Sequence, residues 1–512
     1  MKDDVQQRVK PPIASASVSP TLDDLFARSA ARHPDALALC DPANKHRITG
    51  QPAQRLSYAE ADRTVSALAA QFAAAGLPAG SVIAVQLPNT VEYTLTLLAA
   101  WRAGLIVALL PQLWRHAELT DALNRVGARA FVGASRIEIV DHADLVMNAA
   151  AEAFSIRHVF GFGTSLPEGM TPLDPVIAAG NDAAPDLVCD ARKAAIVSFD
   201  VTPDGLLAVP RSHVSLIAGG LTVLLESGLP QGARLMSAVI PSSFGGLASS
   251  IVTWLLSGGA LVLHHPFDPQ ALETQFRDEA CDTLIAPAPA AQRLSESELL
   301  DGLPTLRHVV GLWRTPERVS SSADWPAGQT SFTDIYLFGE AGLFGARRSN
   351  DGAPVAVLPG PHGAPRNDPG SRIAGEIILT PKGTLALRGP MVPVNAYRPV
   401  PKSDNPLTAA PAVDHVDTGY AARRDRLTGA IDITAPPAGI AAVGGYRFRW
   451  HDLDQWAKRL AAGTMLTALP DQINGYRLAG RASDNARARE ALVELGLNPL
   501  MTEAFRDRKQ AD

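Results

Sequence analysis

Apolar and polar positions alternate with two different periods along the first third of the chain, and the alternation between them predicts the architecture. Thr21 followed by Asp24 has the spacing of a helix capping box, and Ser57 followed by Glu60 repeats it. The stretch YAEADRTVSALAAQFAAAG carries apolar residues at helical spacing, with Gly76 placed to stop it in the left-handed conformation. The short apolar run VIAVQL predicts a strand, and Pro88-Asn89 turns the chain into the helix TVEYTLTLLAAWRAG. A strand LIVALL, a helix HAELTDALNRVG and a strand ARAFVG follow. Strands alternating with amphipathic helices imply right-handed crossovers, and so an α/β fold of doubly wound, mostly parallel sheets that bind ligands at strand ends.

The texture changes from about Ile373, where GEIILTPKGTLALRGPMV reads as two strands flanking a Lys382-Gly383 turn. Beyond Pro436-Pro437, DLDQWAKRLAAG and SDNARAREALVELG predict two helices of a small appended unit. The expected organisation is a leader over 1–20 and a large N-terminal domain over 21–433 that includes a β-rich subdomain from about 350. A reduced α+β C-terminal domain over 434–512 completes it. There is no internal repeat.

Composition narrows the class. With 512 residues, 46% hydrophobic and 19% charged, the chain can bury a sizeable interior. A net charge of -6 argues against a nucleic-acid partner, because neutralising a phosphate backbone needs a basic face. Cys40, Cys189 and Cys281 are far apart and fit no metal-ligand spacing, which suits a reducing compartment. The N-terminus MKDDVQQRVKPP lacks an apolar signal core, and LIAGGLTVLLESGLP is interrupted by glycines and Glu226. A cytoplasmic location with no integral membrane segment is expected.

The segment LSYAEADRTVSALAAQFAAAGLPAGSVIAVQLPNTVEYTLTLLAAWRAGLIVALL resembles the opening of the AMP-binding, adenylate-forming ligases: acyl-CoA synthetases, peptide-synthetase adenylation domains and luciferases. IPSSFGGLASSIVTWLLSGGALVLHHPFDPQAL and GEIILTPKGTLALRGPMVPVNAY extend the likeness in order, over about residues 20 to 450. The resemblance implies two half-reactions: a carboxylate attacks the α-phosphate of ATP, and a thiol then takes the acyl group. The implied cofactors are ATP and magnesium, with CoA or a phosphopantetheine thiol as acceptor. The implied partners are a small carboxylic acid or acyl group and an acyl carrier protein.

Residue by residue, the likeness is uneven. FDVTPDGLLAVPRSH stands where the family has its phosphate loop; Thr202 keeps a hydroxyl, but Val201 and Asp204 replace glycines and Leu207 replaces the lysine. Asp204 has the wrong charge sign beside a polyphosphate. The same TPDG segment also reads as a plain Pro-Asp-Gly turn between two strands, and Arg192, Lys193 and Arg211 stand nearby as alternative cations. In IYLFGEAG, the resemblance makes Tyr336 the ring near adenine and Glu340 the magnesium carboxylate, while Leu337 and Gly339 replace a glycine and a threonine. Trp313, in GLWRTP, falls in the adenine-contact stretch. Each of these also reads as an ordinary core aromatic or capping carboxylate.

Tyr420 replaces the aspartate that holds ribose, leaving Asp417 as the nearby carboxylate, and one phenol cannot reproduce a bidentate contact to a diol. Gly444-Gly445 and YRFRWHDLD match the loop that enters the thiol channel, whereas Pro436 and Gly439 occupy the arginine and hinge positions. Past the hinge only Lys458 and Lys509 remain, neither in the Gly-Lys setting of the adenylation lysine. The expected function is therefore a carboxylate-activating ligase homologue with Thr202 and Glu340 at its centre and adenylation in question. The alternatives are a non-adenylating binding or regulatory module, and an acyl transferase that uses preactivated acyl groups.

Overall fold

The computed structural model describes residues 19–180, 189–297, 299–326, 328, 330–362, 375–397 and 413–506. Most of the leader and Lys509 lie outside the described residues. The predicted fold class is the observed one. A seven-stranded sheet carries Ile106–Leu109, Val82–Val85, Ala130–Ala134, His158–Phe162 and Met170–Pro172 in parallel, with the hairpin of Ala194–Thr202 and Gly205–Ser212 at one edge. An eight-stranded sheet runs parallel through Leu37–Cys40, Ala260–Leu263, Arg234–Ser237, Thr283–Pro287, His308–Trp313 and Ser331–Leu337, and it ends in antiparallel strands on both edges.

Local signals in the sequence explain the helices. Thr21 and Ser57 both form capping boxes, at the starts of Leu22–Arg32 and Tyr58–Ala74. Gly76 follows the second helix with φ +72°. Helix Val91–Arg102 is buried along its whole length, which its nearly unbroken apolar sequence permits only between two covering layers. Polar tethers hold these layers. Tyr93 Oη donates to Pro241 O at 3.2 Å and Trp101 Nε1 to Ala195 O at 3.0 Å. Arg102 reaches both Asp23 and Asp62 at 2.8 Å, tying three helices together. Tyr58 Oη and Trp254 Nε1 both donate to Gly259 O, at 2.7 and 2.9 Å. Gly259 admits no side chain, since a Cβ there would lie 1.9 Å from Ala233 O.

The β-rich unit is a five-stranded antiparallel sheet from Gly360–His362 to Ile431–Ala435, with Gly383 in the left-handed region between Gly375–Leu379 and Thr384–Arg388. The C-terminal unit has a four-stranded sheet beside helices Trp450–Leu460 and Asn485–Glu494, around a core that includes Leu453, Leu492 and Phe505. Both helices were legible in the sequence. Strands Met465–Asp471 and Gly475–Arg481 were less so, because they are partly exposed and lack a clean alternation.

Two buried histidines report on packing. His142 Nδ1 accepts Ala134 N–H at 3.1 Å while its Nε2 meets Gln86 Oε1 at 2.8 Å, and His213 Nδ1 accepts Leu22 N–H at 3.2 Å. Burial lowers both to about 4. Each is then neutral when folded and gains a proton only on unfolding between about pH 6.5 and 4, so stability falls as pH falls through that window. Chemical denaturation should show a loss of about 1.5 kcal/mol per histidine between pH 6.5 and 5. A stability unchanged across that interval would contradict neutral burial.

Candidate functional site

A cleft of about 510 Å³ opens where the C-terminal unit meets the edge of the seven-stranded sheet. The hairpin around Thr202, the turn that carries Glu340 and the loop through Gly444 and Gly445 meet there, flanked by helices His116–Val126 and Trp450–Leu460. Trp114, Phe199, Leu206, Leu337 and Phe448 give it apolar walls.

At the hairpin, Thr202 pairs with Gly205 across a two-residue turn of Pro203 and Asp204. Gly205 takes φ +127°, which a side chain would disfavour, and Thr202 Oγ1 donates to Gly205 O at 3.1 Å. The turn reading of TPDG is the observed one. The Thr202 hydroxyl is used within the turn itself, while Asp204 is exposed on the cleft wall.

Glu340 sits at the tip between strands Ser331–Leu337 and Leu343–Arg347, preceded by Gly339 at φ +56°. Its Oε2 accepts Phe244 N–H at 2.9 Å, its own N–H donates to Asp200 Oδ2 at 3.2 Å, and its carbonyl accepts from Arg211. Burial raises the Glu340 carboxyl above the usual range, opposed in part by Arg211. Arg211 is enclosed too: it also donates to Met391 O and lies 3.7 Å from the Phe244 ring centroid, and burial lowers it to about 10.

Arg447, three residues past Gly444, reaches from the C-terminal unit into this cluster. Its Nη1 meets Asp200 Oδ1 at 2.9 Å and its Nη2 donates to Tyr420 Oη at 3.1 Å. Tyr397 Oη supplies Asp200 Oδ2 at 2.6 Å. Burial opposes the charge on Arg447, but Asp200, Tyr420 and Tyr397 together outweigh it and hold the guanidinium protonated. Gly339 is required here, because a Cβ would come 2.2 Å from Arg447 Nη1. Both Asp200 oxygens are thus engaged, and Tyr420 packs edge-on to Phe338 with 5.2 Å between centroids.

The sequence-predicted residues divide. Glu340, Gly444 and Gly445 line the cleft. Thr202 lies at the hairpin turn beside it. Trp313 and Tyr336 do not line it: Trp313 Nε1 is fixed to Asp334 Oδ1 at 2.7 Å, and Tyr336 stacks on Phe344 at 4.5 Å, both in the buried sheet. Asp417 is exposed in the β-rich sheet, accepting from Thr384 Oγ1 and Gly419 N–H at 3.0 Å. Arg192 and Lys193 are exposed before the hairpin, and Lys458 pairs with Asp454 on an exposed helix face. Asp200, Arg447 and Arg314 were not singled out from sequence. Strand Tyr446–Arg449 did carry a signal, since its alternation of aromatic and arginine puts Arg447 and Arg449 on one face.

Comparison with known proteins fits this geometry. A family model described as AMP-binding enzyme matches residues 26–178. Pyochelin synthase PchD of Pseudomonas aeruginosa (strain UCBPP-PA14) is 26% identical over 288 residues, 55% of this chain and 47% of that protein. The medium-chain fatty-acid–CoA ligase of Escherichia coli (strain K12) is 25% identical over 273 residues, 52% of this chain and 46% of that one. The chain thus spans about half the length of the curated relatives it matches. Among solved structures, apo MbtA of Mycobacterium smegmatis aligns with a TM-score of 0.65 at 20% identity, covering 96% of this chain and 91% of that one. The fold is that of the adenylate-forming enzymes. The chain resembles that superfamily, with acyl-CoA ligases and adenylation enzymes as its relatives.

Removing Arg447 would leave Asp200 buried without its counter-ion. Arg447→Met should cost about 3–5 kcal/mol in denaturation experiments and speed proteolytic cleavage between the two units. An unchanged cleavage rate would mean that the pair does not hold the C-terminal unit in place.

Proposed function

We propose that this protein uses an adenylate-forming fold to hold a small carboxylic acid or acyl group in the cleft without activating it through ATP. One observation carries this reading: the polar groups beside Glu340 in the cleft are already satisfied by one another. Asp200 is neutralised by Arg447 and accepts from Tyr397, and Tyr420 faces Arg447. A ribose diol or a polyphosphate arriving there would have to break buried charge-assisted bonds.

Magnesium fits no better. A hard divalent cation needs several free oxygen ligands, yet Glu340 Oε2 is committed to Phe244 N–H and both Asp200 oxygens to protein donors. The hairpin wall at Val201, Asp204 and Leu206 adds no positive charge for phosphate. The remaining features suit an acid or acyl ligand instead: apolar walls, the Gly444-Gly445 loop, and a volume of about 510 Å³, within the range of small-molecule sites.

A ligase that makes an acyl-adenylate for a CoA or carrier-protein thiol is the second reading. It is favoured by Glu340 and the Gly444-Gly445 loop lining one cleft and by the activities that the relatives' names carry.

ATP–pyrophosphate exchange over a panel of fatty and aromatic acids separates the two. Exchange should stay at background and ATP with magnesium should leave the melting temperature unchanged, while a carboxylate or acyl-CoA raises it. Exchange above background would establish the ligase reading, and stabilisation by acyl-CoA alone would favour transfer of a preactivated acyl group.

A further inference from the structure

Arg314 differs from the other cations of the cleft. Arg125 pairs with Asp121, Arg447 with Asp200 and Arg449 with Asp452. Arg314 lines the cleft and, among the described residues, has no hydrogen-bond or ion-pair partner. Its guanidinium lies against the backbone of Gly445, where a Cβ would fall 1.9 Å from Nη1. Gly445 therefore makes room for this side chain. Burial weakens the charge, and the nearby Tyr446 and Glu340 offset that only in part.

A half-buried guanidinium with no hydrogen-bond or ion-pair partner among the described residues leaves its N–H donors open to an anion. Five N–H donors in a planar fork suit a carboxylate or a phosphate. The neighbouring carboxylates are already engaged: Glu118 accepts Arg115 N–H at 2.8 Å and Glu340 accepts Phe244 N–H. With Asp200, Asp204 and Glu340 on the same walls, a dianion would meet more repulsion than a monoanion. Trp114, Phe199, Leu206 and Phe448 supply surface for an apolar tail.

We propose that Arg314 is the anchor for the carboxylate of an amphipathic monocarboxylic acid, received between Gly445 and the apolar wall of the cleft. This rests on the reading that the cleft binds an acid or acyl group, and it does not depend on whether ATP is used.

The test is calorimetric binding of octanoate and cinnamate against their uncharged amides, with octyl phosphate as a third arm. In the wild-type protein the acids should bind at least about tenfold more tightly than the amides, as for other charge-assisted pairs. Arg314→Gln should abolish that preference without changing the melting temperature by itself, and Arg314→Lys should retain part of it. An equal affinity for acid and amide, a preference that survives Arg314→Gln, tighter binding of octyl phosphate, or no binding of either acid would each overturn the proposal. Pyrophosphate exchange measured on the same variants keeps the two questions apart: exchange with an intact acid preference would remove the ATP-independent reading and leave the Arg314 anchor standing.

Discussion

The buried pair between Asp200 and Arg447 sets the terms for everything around the cleft. It joins two residues 247 positions apart in the chain and on different structural units. Burying both charges is tolerable only because their other valences are filled, Asp200 by Tyr397 and the Glu340 amide, and Arg447 by Tyr420. Glu340 in turn fixes the Phe244 amide at the start of a buried helix, and Arg211 closes the back of the cluster. Any ligand must be accommodated beside this network, in the cleft that Arg314 and the apolar side chains also line.

The framework was legible in the sequence because its signals are local. Thr21 with Asp24, and Ser57 with Glu60, are decided within four residues, and both caps form. Gly76 follows its helix with positive φ where the pattern placed it, and Gly104 and Gly127 follow theirs in the same conformation. The site was legible only in part. Trp313 and Tyr336 lie on strands of a sheet covered on both faces, so alternation could not say which face looks into a cleft. Arg447 and Asp200 could not be paired from sequence, since nothing local to either specifies a partner on another unit.

The substitutions read from the sequence as losses are, in the folded molecule, connected to one another. Tyr420, which the resemblance sets where an aspartate is expected, meets the arginine that neutralises Asp200. Gly339, which the resemblance sets where a threonine is expected, clears the space that Arg447 fills. Asp204 and Pro203 form a short turn whose hydroxyl neighbour serves the turn. Each departure is accommodated by the next, so the cleft is a coherent arrangement of different content.

One feature of the large sheets bears on how the chain reaches this state during synthesis. Strand Leu37–Cys40 pairs with Arg55–Ser57 on one side but not with the seven-stranded sheet that follows; its parallel neighbour is Ala260–Leu263. Tyr58 likewise waits for the carbonyl of Gly259. As the chain emerges from the ribosome, the seven-stranded sheet can assemble first, while the earliest strand keeps one open edge until its distant partner has been made. Such an unpaired edge is a template for wrong pairing, so the nascent chain is most exposed to aggregation in the interval between these two segments.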